Sequence, residues 1–173
     1  MNDVVHFEKV DGVAVISIDN PPVNALGHAV RAGLSDAIDR FVADDTAQAA
    51  LLLGAGKLFV GGADISEFGK PPKDPWLPEI IDRIEAAPKP VVCAIQGAAL
   101  GGGLEVTLGC HYRLAMAGAK LGLPEVTLGI IPGAGGTQRM PRLTGVAVAL
   151  ELIPAGATVS AERAVEIGLA DRL

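Results

Sequence analysis

Two glutamates stand where a charged side chain is least expected. In QGAALGGGLEVTLGC, from Gln96 to Cys110, three glycines run straight into Glu105 with apolar neighbours on both sides. In LGLPEVTLG, Glu125 follows Pro124 and precedes a second glycine-rich stretch, IPGAGGTQRMPR. An ordered Gly triplet costs backbone entropy, and a carboxylate in apolar surroundings costs desolvation. A pair of such carboxylates suits general acid/base chemistry, because burial moves the carboxyl proton affinity toward neutrality.

Helical spacing adds a second function. Gly102, Glu105 and Gly109 fall at i, i+3 and i+7, so the carboxylate shares its stripe with residues that have no side chain and that something can approach closely. Gly102 lies at the expected helix start, where free N–H groups and the helix dipole favour negative charge. Ala63, after Gly61-Gly62, precedes a second expected start at Asp64. Two such N–H groups converging on one oxygen would stabilise an oxyanion. The same residues also admit a purely structural reading, with the glycines as turns or packing points and the glutamates paired with Arg113 or Lys120. Asp64 and Glu67 have the spacing of a capping box, Lys57 reads as a solvated loop lysine, and His111 and Cys93 read as structural.

The elements that must position these residues follow from pattern. Val4 to Val10 and Val13 to Asp19 flank Asp11-Gly12, a hairpin turn. Leu34, Ile38, Phe41 and Val42 mark an amphipathic helix from His28 to Asp44, and Ala49 to Leu53 a strand. The Asp64–Glu67 box predicts a new helix, and Leu77, Ile80, Ile81 and Ile84 share the face of another, stopped by Pro88-Lys89-Pro90. Val91 to Ile95 is a buried strand, Gly102 to Cys110 a helix, and Tyr112 to Ala117 a strand. The IPGAGGTQRMPR stretch reads as a loop, followed by helices around Val146 to Ile153 and from Ser160 to Gly168. Strand, glycine loop and helix recur, giving an α/β organisation.

Composition removes several classes. The 173 residues suit one domain, 1–173, and half are hydrophobic, so disorder is not expected. A net charge of -6 with 3% aromatics lacks the basic face and stacking surface of a nucleic-acid binder. Cys93 and Cys110 are far apart in sequence and His6, His28 and His111 are scattered, which predicts neither a disulfide framework nor a metal site. A reducing, cytoplasmic setting is expected, with no leader and no membrane span. Gly54-Ala55-Gly56-Lys57 lacks the spacing of a P-loop, and neither glycine cluster completes a dinucleotide-binding or nucleophile-elbow motif.

Four ordered segments resemble the enoyl-CoA hydratase/isomerase, or crotonase, superfamily: NPPVNAL at 20–26, KLFVGGADISEF at 57–68, KPVVCAIQGAALGGGLEVTLGCHYRLA at 89–115, and LGLPEVTLGIIPGAGGTQRMPRLTG at 121–145. Some of these versions look closest to the hydratase/isomerase portion of multifunctional β-oxidation enzymes. The resemblance implies a crotonase-like spiral of repeated ββα units whose C-terminal helical part is missing, acting on coenzyme A thioesters. It implies that Ala63 and Gly102 supply the oxyanion-hole N–H groups and that Glu105 and Glu125 are the catalytic carboxylates. It also implies that Gly133 lies near the catalytic water, and that Ala25, Lys57, Asp64 and Ile65 contact the coenzyme A. On this basis we expect hydration of 2-enoyl-CoA, with secondary Δ3,Δ2 isomerisation, without metal or redox cofactor. A trimer-based homo-oligomer is expected where the family's C-terminal part is present. The competing expectation is a silent module that binds acyl-CoA or other subunits, or a relative acting on another acyl-CoA.

Overall fold

The computed structural model describes residues 4–71 and 73–173. Met1 to Asp3, read above as part of a terminus without a leader, and Pro72 lie outside the described residues. The chain opens as the hairpin β1 (Val5–Val10) and β2 (Val13–Ile18), with Val10 opposite Val13. Asp11 and Gly12 both take positive φ, 49° and 81°, the backbone that a tight hairpin turn needs and that Gly supplies without strain. In β2 alternate residues Ala14, Ile16 and Ile18 are buried, as one face of a pleated strand requires.

Helix α1 (His28–Ala43) covers β1 and β2 with Val30, Leu34, Ala37, Ile38 and Phe41. Then follow β3 (Ala49–Gly54), α2 (Leu77–Glu85), β4 (Val91–Ile95), β5 (Ala98–Leu100), α3 (Gly102–Gly109), β6 (Tyr112–Ala115) and β7 (Lys120–Gly122). The last elements are α4 (Gly136–Thr144), α5 (Val146–Ala155), β8 (Thr158–Ser160) and α6 (Ala161–Glu166). A five-stranded sheet has the order β1-β2-β3-β4-β6, parallel apart from the β1–β2 hairpin. A small sheet has the order β5-β7-β8, with β5 parallel to β7. From β4 onward the chain alternates between the sheets: β4 and β6 lie in the large one, β5 and β7 in the small one. A helix follows each pair. This is the repeated strand–strand–helix winding expected from the resemblance.

Helix α3 is the centre of that winding, and every one of its residues is buried. A helix with no wet face must be covered all round, and α2, α4 and β5 do so. The glycines make the covering possible. A Cβ on Gly103 would lie 2.5 Å from the Val60 carbonyl oxygen, and one on Gly109 would lie 2.6 Å from Ile81 Cγ2. The helix is thus approached from within, by α2 at Gly109 and by the Val60 loop at Gly103.

Three expectations are corrected. The Asp64–Glu67 box starts no helix: Asp64 caps a single 3-10 turn, Ile65–Glu67, by accepting from the Ser66 N–H at 2.9 Å. Glu67 does not reciprocate, because its carboxylate is taken by the His28 N–H and by Arg31 at 2.7 Å. The IPGAGGTQRMPR stretch is not all loop, since α4 begins at Gly136 and contains Pro141. The strand predicted over Tyr112 to Ala117 ends at Ala115. Cys93 and Cys110, distant in sequence, are neighbours in the core as free thiols, and burial and the Cys110 thiol push the Cys93 thiol up. His111 is structural as expected, its Nδ1 accepting from the Val91 N–H at 3.1 Å. Among the described residues no helix is long and apolar enough to cross a membrane.

Candidate active site

Glu105 sits in the first turn of α3, just after the Gly101 that caps it at φ 51° and ψ -127°. Its Oε1 accepts the N–H groups of Ala134 at 2.7 Å and Gly136 at 2.8 Å. Gly136 is the first residue of α4, so the carboxylate lies at a helix N-terminus, where free N–H groups favour negative charge. A Cβ on Gly136 would come within 3.0 Å of Glu105 Oε1. Glycine there keeps the clamp short.

Glu125 begins a 3-10 turn, Glu125–Leu128, directly after β7 and Pro124. One of its oxygens, Oε1, lies against Gly101, 3.1 Å from where a Cβ would be. The other, Oε2, is buried without a hydrogen-bond partner among the described residues. Arg113 is engaged with Asp171 at 2.8 Å and with the Cys110 carbonyl, so it partners neither glutamate. Burial pushes both carboxyls above their usual range. For Glu105 the Gly136 and Ala134 N–H bonds and the nearby Arg139 oppose this. For Glu125 a backbone N–H opposes it, and the Glu105 charge adds to it.

The backbone nitrogen of Ala63 lies close to Gly102. A Cβ on Gly102 would stand 3.9 Å from the Ala63 nitrogen and within 3.0 Å of Leu77. Gly102, at the start of α3, has no acceptor within its helix, and neither its N–H nor that of Ala63 has a partner among the described residues. The Ala63 loop is fixed from both sides, by Gly61 N–H to the Val23 carbonyl at 2.8 Å and Leu26 N–H to the Gly62 carbonyl at 2.9 Å. Asn24, 3% exposed, holds the preceding turn through Nδ2 to the Ala55, Leu58 and Phe59 carbonyls. This gives the NPPVNAL segment a structural task.

A cavity of about 490 Å³ opens over these groups. Glu105, Glu125, Ala63, Gly102, Asp64 and Gly133 all line it, while Ala25, Lys57 and Ile65 are not among its walls. Ala25 is half-buried beside Leu26, which does line the cavity, and Lys57 and Ile65 are exposed. Other wall residues are Phe68 and Trp76, which bound a segment expected to border the acyl group, together with Arg31, Leu77, Ile130, Ile131 and Ala134. Apart from Arg31, their apolar character suits an acyl or thioester group. No group of three or more metal-capable side chains occurs among the described residues.

Known proteins resemble this chain over nearly its whole length. The model of the enoyl-CoA hydratase/isomerase family matches residues 8–173. The chain belongs to the enoyl-CoA hydratase/isomerase family. Within it, the chain is 53% identical over 161 residues to the peroxisomal bifunctional enzyme of Danio rerio, covering 93% of this chain and 22% of that one. It is 47% identical over 171 residues to the peroxisomal fatty acid beta-oxidation multifunctional protein of Oryza sativa subsp. japonica, covering 94% and 24% respectively. The enoyl-CoA hydratase of Bacillus anthracis has the same fold, with a TM-score of 0.92 at 37% identity over 98% of this chain and 69% of that one. The chain therefore spans less than a quarter of the length of these multifunctional relatives of the enoyl-CoA hydratase/isomerase family.

Proposed function

We propose that this chain adds water to 2-enoyl-CoA thioesters, giving 3-hydroxyacyl-CoA. The observation that carries the reading is that two buried carboxylates and two residues whose N–H groups have no partner among the described residues line one apolar cavity. With the thioester oxygen between the Ala63 and Gly102 N–H groups, the enoyl carbons face Glu105 and Glu125. Glu105, as carboxylate, takes a proton from water, and the hydroxyl bonds to the β-carbon. The electron pair of the double bond moves toward the thioester oxygen, where the two N–H groups hold the negative charge. Glu125, protonated at the start, delivers its proton to the α-carbon. Exchange with solvent then resets both carboxyls.

The magnitudes are sufficient. Each oxyanion donor contributes about 3 kcal/mol to transition-state stabilisation, and each proton transfer by a placed group roughly 10² to 10⁴ in rate. Burial, by raising the Glu125 carboxyl, keeps its protonated form available at higher pH than an exposed glutamate would allow. Glu125 also has one oxygen without a partner among the described residues, so a single carboxyl can remove a proton at one carbon and return it at another. We therefore add Δ3,Δ2-enoyl-CoA isomerisation as a second activity of the same pocket.

The test is loss of the conjugated thioester absorbance with a short 2-enoyl-CoA, for this chain beside Glu105→Gln and Glu125→Gln. Hydration by the parent and its loss in both variants is the expected result. A folded parent that binds acyl-CoA without turning it over would instead favour the silent binding module.

A further inference from the structure

Arg139 of α4 is a half-buried cation that the acid/base scheme does not use. Its guanidinium is held by two carboxylates of α2: Nη2 donates to Asp82 at 2.6 Å and to Glu85 at 2.7 Å, and Nε donates to Glu85 at 3.1 Å. One nitrogen is turned the other way, with Nη1 donating to the Ala134 carbonyl at 3.2 Å. Ala134 is the residue whose own N–H binds Glu105 Oε1 at 2.7 Å. Gly135, between the two clamping N–H groups, takes φ 96°, and any Cβ there would collide with the guanidinium. The backbone that grips Glu105 is therefore gripped on its far side by Arg139.

We propose that Arg139 is a positioning residue for Glu105, fixing the 134–136 backbone and thereby the carboxylate that activates water. This rests on the hydration reading above. Arg139 has only 13% of its side chain exposed, and a planar guanidinium with five donors can serve α2 and the loop at once, which an ammonium cannot. Its positive charge also favours the ionised form of Glu105. The other charged groups that act here are Glu125, which feels the Glu105 charge, and Asp82 and Glu85 of α2, which hold Arg139. Arg83 of α2 turns away to Asp39 and Ser35, and Arg142 of α4 bonds back to Gln138.

The test compares the parent, Arg139→Met and Arg139→Lys. Asp82 and Glu85 are 70% and 57% exposed, so removing the cation buries no unpaired charge and the Met variant is expected to fold. In Arg139→Met, kcat for a short 2-enoyl-CoA falls about ten- to a hundred-fold with KM unchanged, the mark of a displaced catalytic group rather than of lost binding. The acidic limb of its pH profile moves to higher pH. Arg139→Lys restores the limb, which follows charge, and recovers only part of kcat, which follows geometry. A second readout needs no turnover: the Glu105 carboxyl, followed by ¹³C NMR titration, rises in the Met variant and returns in the Lys variant. A Met variant with parental kcat and an unmoved Glu105 titration overturns the inference while leaving hydration intact. A parent without turnover overturns the hydration reading instead, and the NMR titration then decides the role of Arg139 on its own.

Discussion

Glu105 and Glu125 share one cavity and one electrostatic tendency, yet they are held in opposite ways. Glu105 is gripped by two N–H groups on a single oxygen, at a helix N-terminus. Glu125 keeps a buried oxygen with no partner among the described residues. A fixed carboxylate suits a small nucleophile such as water, whose approach has to be aimed. A carboxyl with a free oxygen suits proton delivery to carbon, where the group itself moves the proton. Under the proposed hydration, the contrast teaches that the division of labour would be built into backbone donors rather than into residue type, since both side chains are glutamate.

The largest way to break the contrast is Glu125→Gln, which is expected to reduce hydration and isomerisation together by about 10² to 10⁴-fold in kcat, read by thioester absorbance and by product analysis. Glu105→Gln should lower hydration by a similar factor while isomerisation falls far less. Equal loss of both activities in that variant would erase the distinction. Next in size is Gly136→Ala, whose new methyl meets Glu105 Oε1 and Leu123 at 3.0 Å. The clamp must open by a few tenths of an ångström, and kcat is expected to fall about tenfold with KM unchanged.

Stability sharpens the same comparison. A carboxyl raised above its unfolded value contributes stability below that unfolded value and loses it as pH rises through the folded one. Both glutamates therefore weaken the fold at neutral pH. Glu125→Gln is expected to raise stability by about 1 kcal/mol at pH 7 and by less at pH 4, measured by denaturant unfolding. For Glu105→Gln the gain is smaller, because two N–H bonds already stabilise its charge. The smallest effect is at the cavity wall, where burial alone would raise the Glu67 carboxyl but Arg31 and the His28 N–H outweigh it and hold it down. Its contribution is present above the unfolded carboxyl value and fades as pH falls through the folded one. Glu67→Gln should cost under about 1 kcal/mol at pH 7 and nothing in acid.

Legibility followed the length of the pattern. The hairpin was readable because Asp11-Gly12 sits between two alternating runs, and α1 and α2 because a helical stripe of Leu and Ile repeats over several turns. Helix α3 and its glutamate were readable because glycine and charge in an apolar run are costly enough to demand a reason. The strands β5, β7 and β8 have three residues each, too few for a period to emerge. Helix α4 was hidden by Gly135, Gly136 and Pro141, poor helix formers that are held in place by contact with α3. The capping-box spacing at Asp64 was genuine locally, but Arg31, 36 positions from Glu67, claimed the second half of the box. For the site, the four expected chemical groups lie on one cavity. The clamp on Glu105 was not legible, because its donors are backbone N–H groups carrying no residue signature.

The most direct test of the divided roles is exchange of the α-proton of a saturated short acyl-CoA in D₂O, followed by NMR, which reads proton transfer at carbon without any water addition. The account predicts that Glu105→Gln still exchanges the α-proton while Glu125→Gln does not. Exchange at the parental rate in Glu125→Gln would contradict it.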